Sequence, residues 1–314
     1  MITTRSFVSF LESGDISGLR SVPKSDLHNH GIYGGNQDYI RRKTGAHLKL
    51  ESSLNGLTGM AGWCDTHLKP LYRDVEGLLL LFESAFIQAA EDGVTRLEMS
   101  LDSKYAGFFG GNCQGYVDAI RKLHQEFAPQ IDFRPEIGIN RCLPTAELYP
   151  AVKKFIDTGY FKSIDLYGDE FARLVENFKE IYRMAGEKGL KLKAHVGEAG
   201  TAEDIVRAVE VLNLTEIQHG IAAATSEKVM DFLAERSVQL NICPESNITL
   251  GYSSDYTTPA RILFDNGVRI TINTDDCLIF GKGLSEQYLK LYQSGTFSAA
   301  DLDSIRLNGL NSRQ

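Results

Sequence analysis

The feature that most constrains this chain is an alternation that runs its whole length. Eight short runs rich in β-branched residues are each followed by a stretch with helical periodicity, and no Pro/Gly/Ser-rich linker interrupts the series. The runs fall at residues 24–30, 94–102, 131–140, 161–170, 190–198, 215–220, 238–245 and 268–276. Between the first two, Leu78, Leu81, Phe82, Ala85 and Ala89 repeat at i, i+3, i+4, i+7 and i+11, a one-faced helical stripe that Gly93 ends at the C′ position. Later helices are expected after Tyr116, after Pro144, from Glu170 to Lys188, and around residues 203–212, 226–236 and 258–266, with a last one from Leu284. The chain stops soon after RLNGLNSRQ, so that last barrel helix is expected to be cut short.

Eight strand–helix pairs fit a closed α/β architecture, the (β/α)8 TIM barrel, better than an open sheet. An open sheet of this kind usually carries a glycine fingerprint after its first strand. Gly31, Gly34 and Gly35 supply neither GxGxxG nor GxxxxGK[ST]. A single domain over residues 1–314 is expected, with one insertion. Residues 31–73 are too long for an ordinary βα loop, and the spacing of Leu48, Leu54, Leu57, Met60, Trp63, Leu68 and Leu71 predicts short helices that form a lid over the barrel mouth.

Barrels place chemistry at the C-terminal ends of their strands. His28 and His30 end the first run, His195 the fifth with Glu198 three residues on, His219 the sixth, and Asp275 with Asp276 the eighth. Taken singly each is bland: an HxH pair packs in many cores, and an Asp-Asp at a strand end can cap the next helix. Together they occupy four strand ends of one barrel, and four of the seven histidines are among them; only His47, His67 and His124 lie elsewhere. Three neutral imidazoles and one carboxylate suit a borderline-soft divalent ion such as zinc, although other divalent transition metals take the same donors. His28, His30, His195 and Asp275 are the expected ligands of one ion, which lowers the pKa of a bound water from about 16 toward ~7. Glu198 is then free to act as a general acid, His219 to orient and deprotonate that water, and Asp276, facing away from the ion, to accept a hydrogen bond from a substrate.

Charge narrows the partners. The 33 basic against 41 acidic residues give a formal charge of -8, which argues against nucleic acid or an anionic membrane. No apolar run approaches the length of a membrane span, and the N-terminal MITTRSFVSFLESGD has no long apolar core of a signal peptide. Five scattered cysteines without a CxxC suggest reduced thiols and a cytoplasmic protein. The oligomeric state is not legible.

The stretches LHNH (27–30), IDLYGDE (164–170), HVGEAG (195–200), QHG (218–220), CPESN (243–247) and NTDD (273–276) resemble, in order, those of the adenosine deaminase family of metal-dependent amidohydrolases. The resemblance implies His28, His30, His195 and Asp275 as metal ligands, Glu198 as the residue that protonates purine N1, and His219 as the one that positions the attacking hydroxide. It further implies Asp276 at N7 and the Gly168 amide at N3. The implied reaction is hydrolytic deamination at purine C6 of adenosine or a related 6-aminopurine nucleoside or base. The alternatives are adenine, a 5′-modified adenosine, another aminated heterocycle, or a silent purine-binding protein. The other zinc deaminase class is excluded by the lack of PCxxC; His124-Gln125-Glu126 mimics only its HxE.

Three positions depart from the family pattern. Ile32 stands where adenosine-specific members carry an acid for the ribose 5′-hydroxyl, so a plain 5′-hydroxyl is not expected to be the feature recognised. Asn241 replaces a glutamate expected to support His219, and Cys277 replaces a proline after NTDD, a change expected to relax the loop or alter the pocket wall. Phe108 and Phe109, in the loop after the second strand, are further candidates for shaping the pocket.

Overall fold

The computed structural model describes residues 4–311. Its eight strands are β1 (Lys24–Asn29), β2 (Val94–Asp102), β3 (Asp132–Asn140), β4 (Ser163–Tyr167), β5 (Lys191–Val196), β6 (Glu216–His219), β7 (Gln239–Ile242) and β8 (Arg269–Ile272). They pair in parallel in sequence order from β1 to β8. Parallel neighbours need a crossover, and each gap between strands supplies a helix long enough to cover the sheet. The chain is a (β/α)8 barrel. The stripe foreseen on the first long helix is real: Val75–Glu91 buries Leu78, Leu81, Phe82, Ala85 and Ala89. Gly93 follows it at φ +71°, where a Cβ would meet the Arg20 carbonyl oxygen at 2.1 Å.

Strand ends differ from expectation in one consistent way. β4, β5, β7 and β8 stop two to four residues early, so Gly168, Glu198, Asp275 and Asp276 lie on the turns that follow. The reason is the backbone: Gly168 (φ +101°), Gly197 (φ +72°) and Asp275 (φ +59°) leave the extended region at those points. Helices Thr4–Ser13, Ile16–Arg20, Pro244–Thr249, Cys277–Phe280 and Ala299–Leu310 were not foreseen. Two helices follow β8's turn, Leu284–Gln293 and Ala299–Leu310, the second packing on β8, β1 and Thr4–Ser13.

The β8–β1 seam carries no regular ladder and is joined largely by side chains. The Leu27 amide donates to Asn273 Oδ1 (2.8 Å), and Thr274 donates to Asp26 from its amide (3.1 Å) and its hydroxyl (2.5 Å). One bridge, Asn29 with Asp275, and the bond from Asp275 N to His28 O (2.9 Å) complete it. This seam therefore fixes β1 beside the turn after β8, where histidines and aspartates meet.

The interior below is ionic. Lys193 Nζ on β5 contacts Glu98 of β2, Glu136 of β3 (2.5 Å) and Glu216 of β6 (3.5 Å), and donates to Leu27 O of β1 (3.1 Å). An ammonium on β5 that touches β1, β2, β3 and β6 lies inside the barrel. Burial raises the Glu136 carboxyl to about 7 against the pull of Lys193, while Lys193 and Lys191 overcome burial and hold Glu216 down near 2. Such a network specifies register more than it stabilises, because desolvation offsets much of the Coulomb gain.

Candidate active site

Two cavities mark the ends of the barrel. One of about 1500 Å³ lies where the strands begin and is lined by Glu98, Ser163, Lys191, Glu216, Gln239 and Arg269 among others, with no histidine or cysteine. The other, about 800 Å³, lies where the strands end and is lined by His30, His195, Glu198, His219, Asp275 and Asp276. The second is smaller but holds the chemistry. Ile32, Leu57, Met60, Cys64 and Lys69 of the 31–73 insertion form part of its wall. That segment folds into Gly31–Tyr33, Gln37–Thr44, Gly56–His67 and Lys69–Leu71, tied to the turn after β7 by Gly56 N donating to Leu250 O at 3.0 Å.

Metal-type donors converge in this cavity. His30 Nε2 lies 3.1 Å from His195 Nε2, and Asp275 Oδ1 lies 3.3 Å from His28 Nε2 and 3.4 Å from His30 Nε2. Donors bound tetrahedrally at zinc distances are separated by about 3.3 Å, so these spacings fit the edges of a zinc coordination polyhedron. Neither ring nitrogen of the buried His28 has a hydrogen-bond partner, as expected of a donor reserved for a cation. The donor chemistry, imidazoles with carboxylates, suits a divalent metal, but no single group of converging donors holds all four expected ligands. Among the described residues the donors group as His28, His30, His195 with Asp165, as His28, His219 with Asp275, and as His30, Asp275 with Asp276.

Asp165 was not foreseen. It is fully buried on β4, and its Oδ1 lies 3.2 Å from Nδ1 of His195, the nitrogen on the far side of the ring from His30. Burial opposes the charges of this pair, yet their mutual attraction raises His195 to about 9 and holds Asp165 well below the usual carboxylate range. A carboxylate behind the imidazole fixes the ring and increases its donor strength. The signal was present in the sequence as an acid between Ile164 and Leu166 in an apolar strand.

The two adjacent acids, Asp275 and Asp276, line the same cavity. Asp275 has left the strand at φ +59°, and an oxygen of Asp276 stays within 4.8 Å of donors on His30 and Asp275. Asp276 occupies the N-cap position of Cys277–Phe280, but its carboxylate makes no capping bond and its Oδ1 has no partner. Burial, then the Asp275 and Glu198 charges, push its carboxyl well above the usual range. Glu198 behaves similarly: burial and the charge of Asp275 raise it to about 8 against the pull of His195. Its Oε1 lies 3.6 Å from His219 Nδ1, and His219 Nε2 lies 3.9 Å from Asp275 Oδ2. Burial holds the His219 imidazole well below its ordinary value. His219 and Asp275 share a left-handed backbone (φ +63° and +59°) that side-chain-bearing residues seldom adopt, a strain that concentrates at functional sites.

The departures resolve differently. Ile32 does line the cavity, at 2% exposure. Asn241 does not reach His219: its amide donates to Gln218 (2.9 Å) and Glu216 (3.2 Å) and its oxygen accepts from Thr271 (2.8 Å), because β7 ends one residue beyond it and its side chain turns into the barrel floor. Cys277 is buried at the start of its helix, away from the cavity lining, so the expected change to the pocket wall is corrected. Phe108 and Phe109 pack instead on Tyr105 and Tyr116; after β2 the lining residues are Asp102, Lys104 and Tyr105. All five cysteines are free, and among the described residues no helix is long and apolar enough to cross a membrane.

A family model described as "Adenosine deaminase" matches residues 79–313. A "Putative adenosine/adenine deaminase" of Treponema pallidum is 31% identical over 288 residues, covering 91% of this chain and 96% of that one. Among solved structures, an adenine deaminase from Arthrobacter aurescens superposes with a TM-score of 0.79 at 20% identity, covering 93% of this chain and 94% of that one. An amidohydrolase from Burkholderia ambifaria with bound Zn gives a TM-score of 0.79 at 21% identity, covering 94% and 86%. At those identities the two structures establish the fold.

Proposed function

The chain belongs to the adenosine deaminase family and is a hydrolytic deaminase of adenosine- or adenine-like substrates, and from that premise we propose that it converts a 6-aminopurine nucleoside to its 6-oxo product and ammonia with one zinc ion per chain. His28, His30, His195 and Asp275 would hold the ion. Bound there, zinc supplies Lewis acidity that brings the pKa of a water toward ~7.

The chain's own groups divide the proton work. His219, kept neutral by burial, can take a proton from the attacking water and pass it to the departing amine. Glu198, raised to about 8, carries its proton at neutral pH and can donate it to ring N1 as C6 is attacked. The remaining water proton returns to Glu198 as the C6–N bond breaks, which leaves the 6-oxo group. Asp276 and the Gly168 amide orient the purine through N7 and N3, and the 31–73 insertion acts as the lid that excludes bulk water.

The observation that carries this reading is the meeting of a carboxyl and an imidazole, Glu198 and His219, 3.6 Å apart beside convergent metal donors. Binding alone needs neither. The cavity wall also favours a nucleoside over a nucleotide. Its two lysines are already paired with neighbouring aspartates, Lys69 with Asp65 (2.5 Å) and Lys104 with Asp102 (2.7 Å), so a phosphate would have to compete for either charge. Ile32 adds an apolar contact that suits a 5′-substituent without a free hydroxyl. The test is ammonia release from the zinc-loaded protein across adenosine, 5′-methylthioadenosine, AMP, adenine and a pterin. Turnover of a nucleoside above AMP and adenine supports the proposal; turnover of the pterin alone, or of none, overturns it.

A further inference from the structure

The turn that carries Glu198 is held from one side by a single carboxylate. Glu170, three residues beyond the end of β4 at Tyr167, accepts three consecutive backbone amides of the segment after β5. Gly197 N donates to Oε2 (2.8 Å), while Glu198 N (2.9 Å) and Ala199 N (2.8 Å) both donate to Oε1. Two glycines make the approach possible. A Cβ on Gly200 would lie 2.7 Å from Glu170 Oε2, and Gly197 turns the chain at φ +72° where a Cβ would strike Ile205 at 2.5 Å. A carboxylate that accepts several amides is a strong, directional clamp, because each bond is charge-assisted.

We infer that Glu170 is a positioning residue: its carboxylate fixes the backbone of Gly197, Glu198 and Ala199 and so sets where the Glu198 carboxyl meets the substrate. The inference rests on the proposed acid role of Glu198. Glu170 need not touch the purine. Its neighbours on the YGDE turn face the same cavity, so one short turn would present an amide to the ligand through Gly168 and aim the acid through Glu170. Preorganisation of this kind matters because an acid displaced by about 1 Å loses on the order of 10²-fold in rate.

The test uses the zinc-loaded full chain and the variants Glu170→Gln and Glu170→Ala, followed by residue-resolved amide exchange and steady-state kinetics on whichever aminopurine the wild type turns over. Expected is exchange faster by on the order of 10²-fold at Gly197, Glu198 and Ala199, with the barrel strands unchanged. Alongside it, kcat falls by on the order of 10²-fold while KM and bound zinc per chain stay within about twofold. Glu170→Gln, which keeps one accepting oxygen and the same shape, falls between wild type and Glu170→Ala and serves where alanine prevents folding. Wild-type exchange rates at those amides overturn the inference, as does loss of protection throughout the barrel. Faster exchange with unchanged kcat overturns it too, since the carboxylate would then only staple the loop. If the wild type turns over no aminopurine, the proposed function fails, while the exchange measurement still decides whether Glu170 holds the turn.

Discussion

His30 Nε2 and His195 Nε2 lie 3.1 Å apart although 165 residues separate them in the chain. Two imidazole nitrogens at that distance repel if both present lone pairs, a repulsion that coordination to one shared cation relieves. The Asp275 carboxylate lies 3.4 Å from the same His30 nitrogen.

Removal of metal follows directly. Treatment with a chelator is expected to abolish deamination and lower the thermal midpoint, and zinc restores both. Saturating metal at about 100 times its dissociation constant contributes about 2.7 kcal/mol to the folded state. In His195→Ala, zinc addition should leave the midpoint nearly unmoved, with metal per chain well below one. Elemental analysis with a thermal melt checks this; a full zinc complement in that variant removes His195 from the ligand set.

Glu198→Gln should retain zinc and lose about 10²–10⁴-fold in kcat, because the amide has no proton to give. The wild-type pH profile carries the sign. Glu198 must be protonated to act, and its pKa stands near 8, so kcat falls as pH rises through about 8. The residual activity of Glu198→Gln should show no such fall. A profile with the same alkaline limb in both proteins would assign that limb to another group.

Asp26 gives a prediction about stability. Burial raises its carboxyl from 3.8 to about 7, against its bonds from Thr274. Between those values the folded state binds a proton that the unfolded chain does not, so this contribution is full below the unfolded pKa and is lost as pH rises through about 7. Asp26→Asn keeps an acceptor for the Thr274 amide and removes the ionisation. The stability of wild type relative to Asp26→Asn should therefore decline from pH ~4 to ~7, by up to about 4 kcal/mol, and then level off. Urea unfolding at a series of pH values measures it, and parallel curves would sink the assignment.

Ile32→Thr tests the apolar wall. The hydroxyl replaces the ethyl arm of isoleucine and offers a polar partner, so the preference for 5′-methylthioadenosine over adenosine in kcat/KM should shrink by about tenfold. An unchanged ratio would show that Ile32, although it lines the cavity, does not read the 5′ end.

Much of this molecule is readable residue by residue. Strand and helix order follow from periodicity, since a buried stripe such as Leu78–Leu81–Phe82–Ala85–Ala89 must recur at the pitch of the helix that buries it. The histidines and acids at strand ends are equally visible, because a barrel delivers every strand end to one face. Asp165 and Glu170 escaped because their partners are distant in the chain: one acts through a ring 30 residues on, the other through amides 27 to 29 residues away.

The linear order thus determined the fold class, the order of the elements and the residue types available for chemistry, all of which depend on pattern and propensity within short windows. Tertiary structure alone decided which atoms face each other. It turned Asp275 and Asp276 into the same cavity through one left-handed residue, sent Asn241 to the barrel floor instead of to His219, and joined β8 to β1 through Asp26, Asn273 and Thr274. Those outcomes depend on backbone dihedrals and on contacts between strands, and both are settled only when the ring of strands closes.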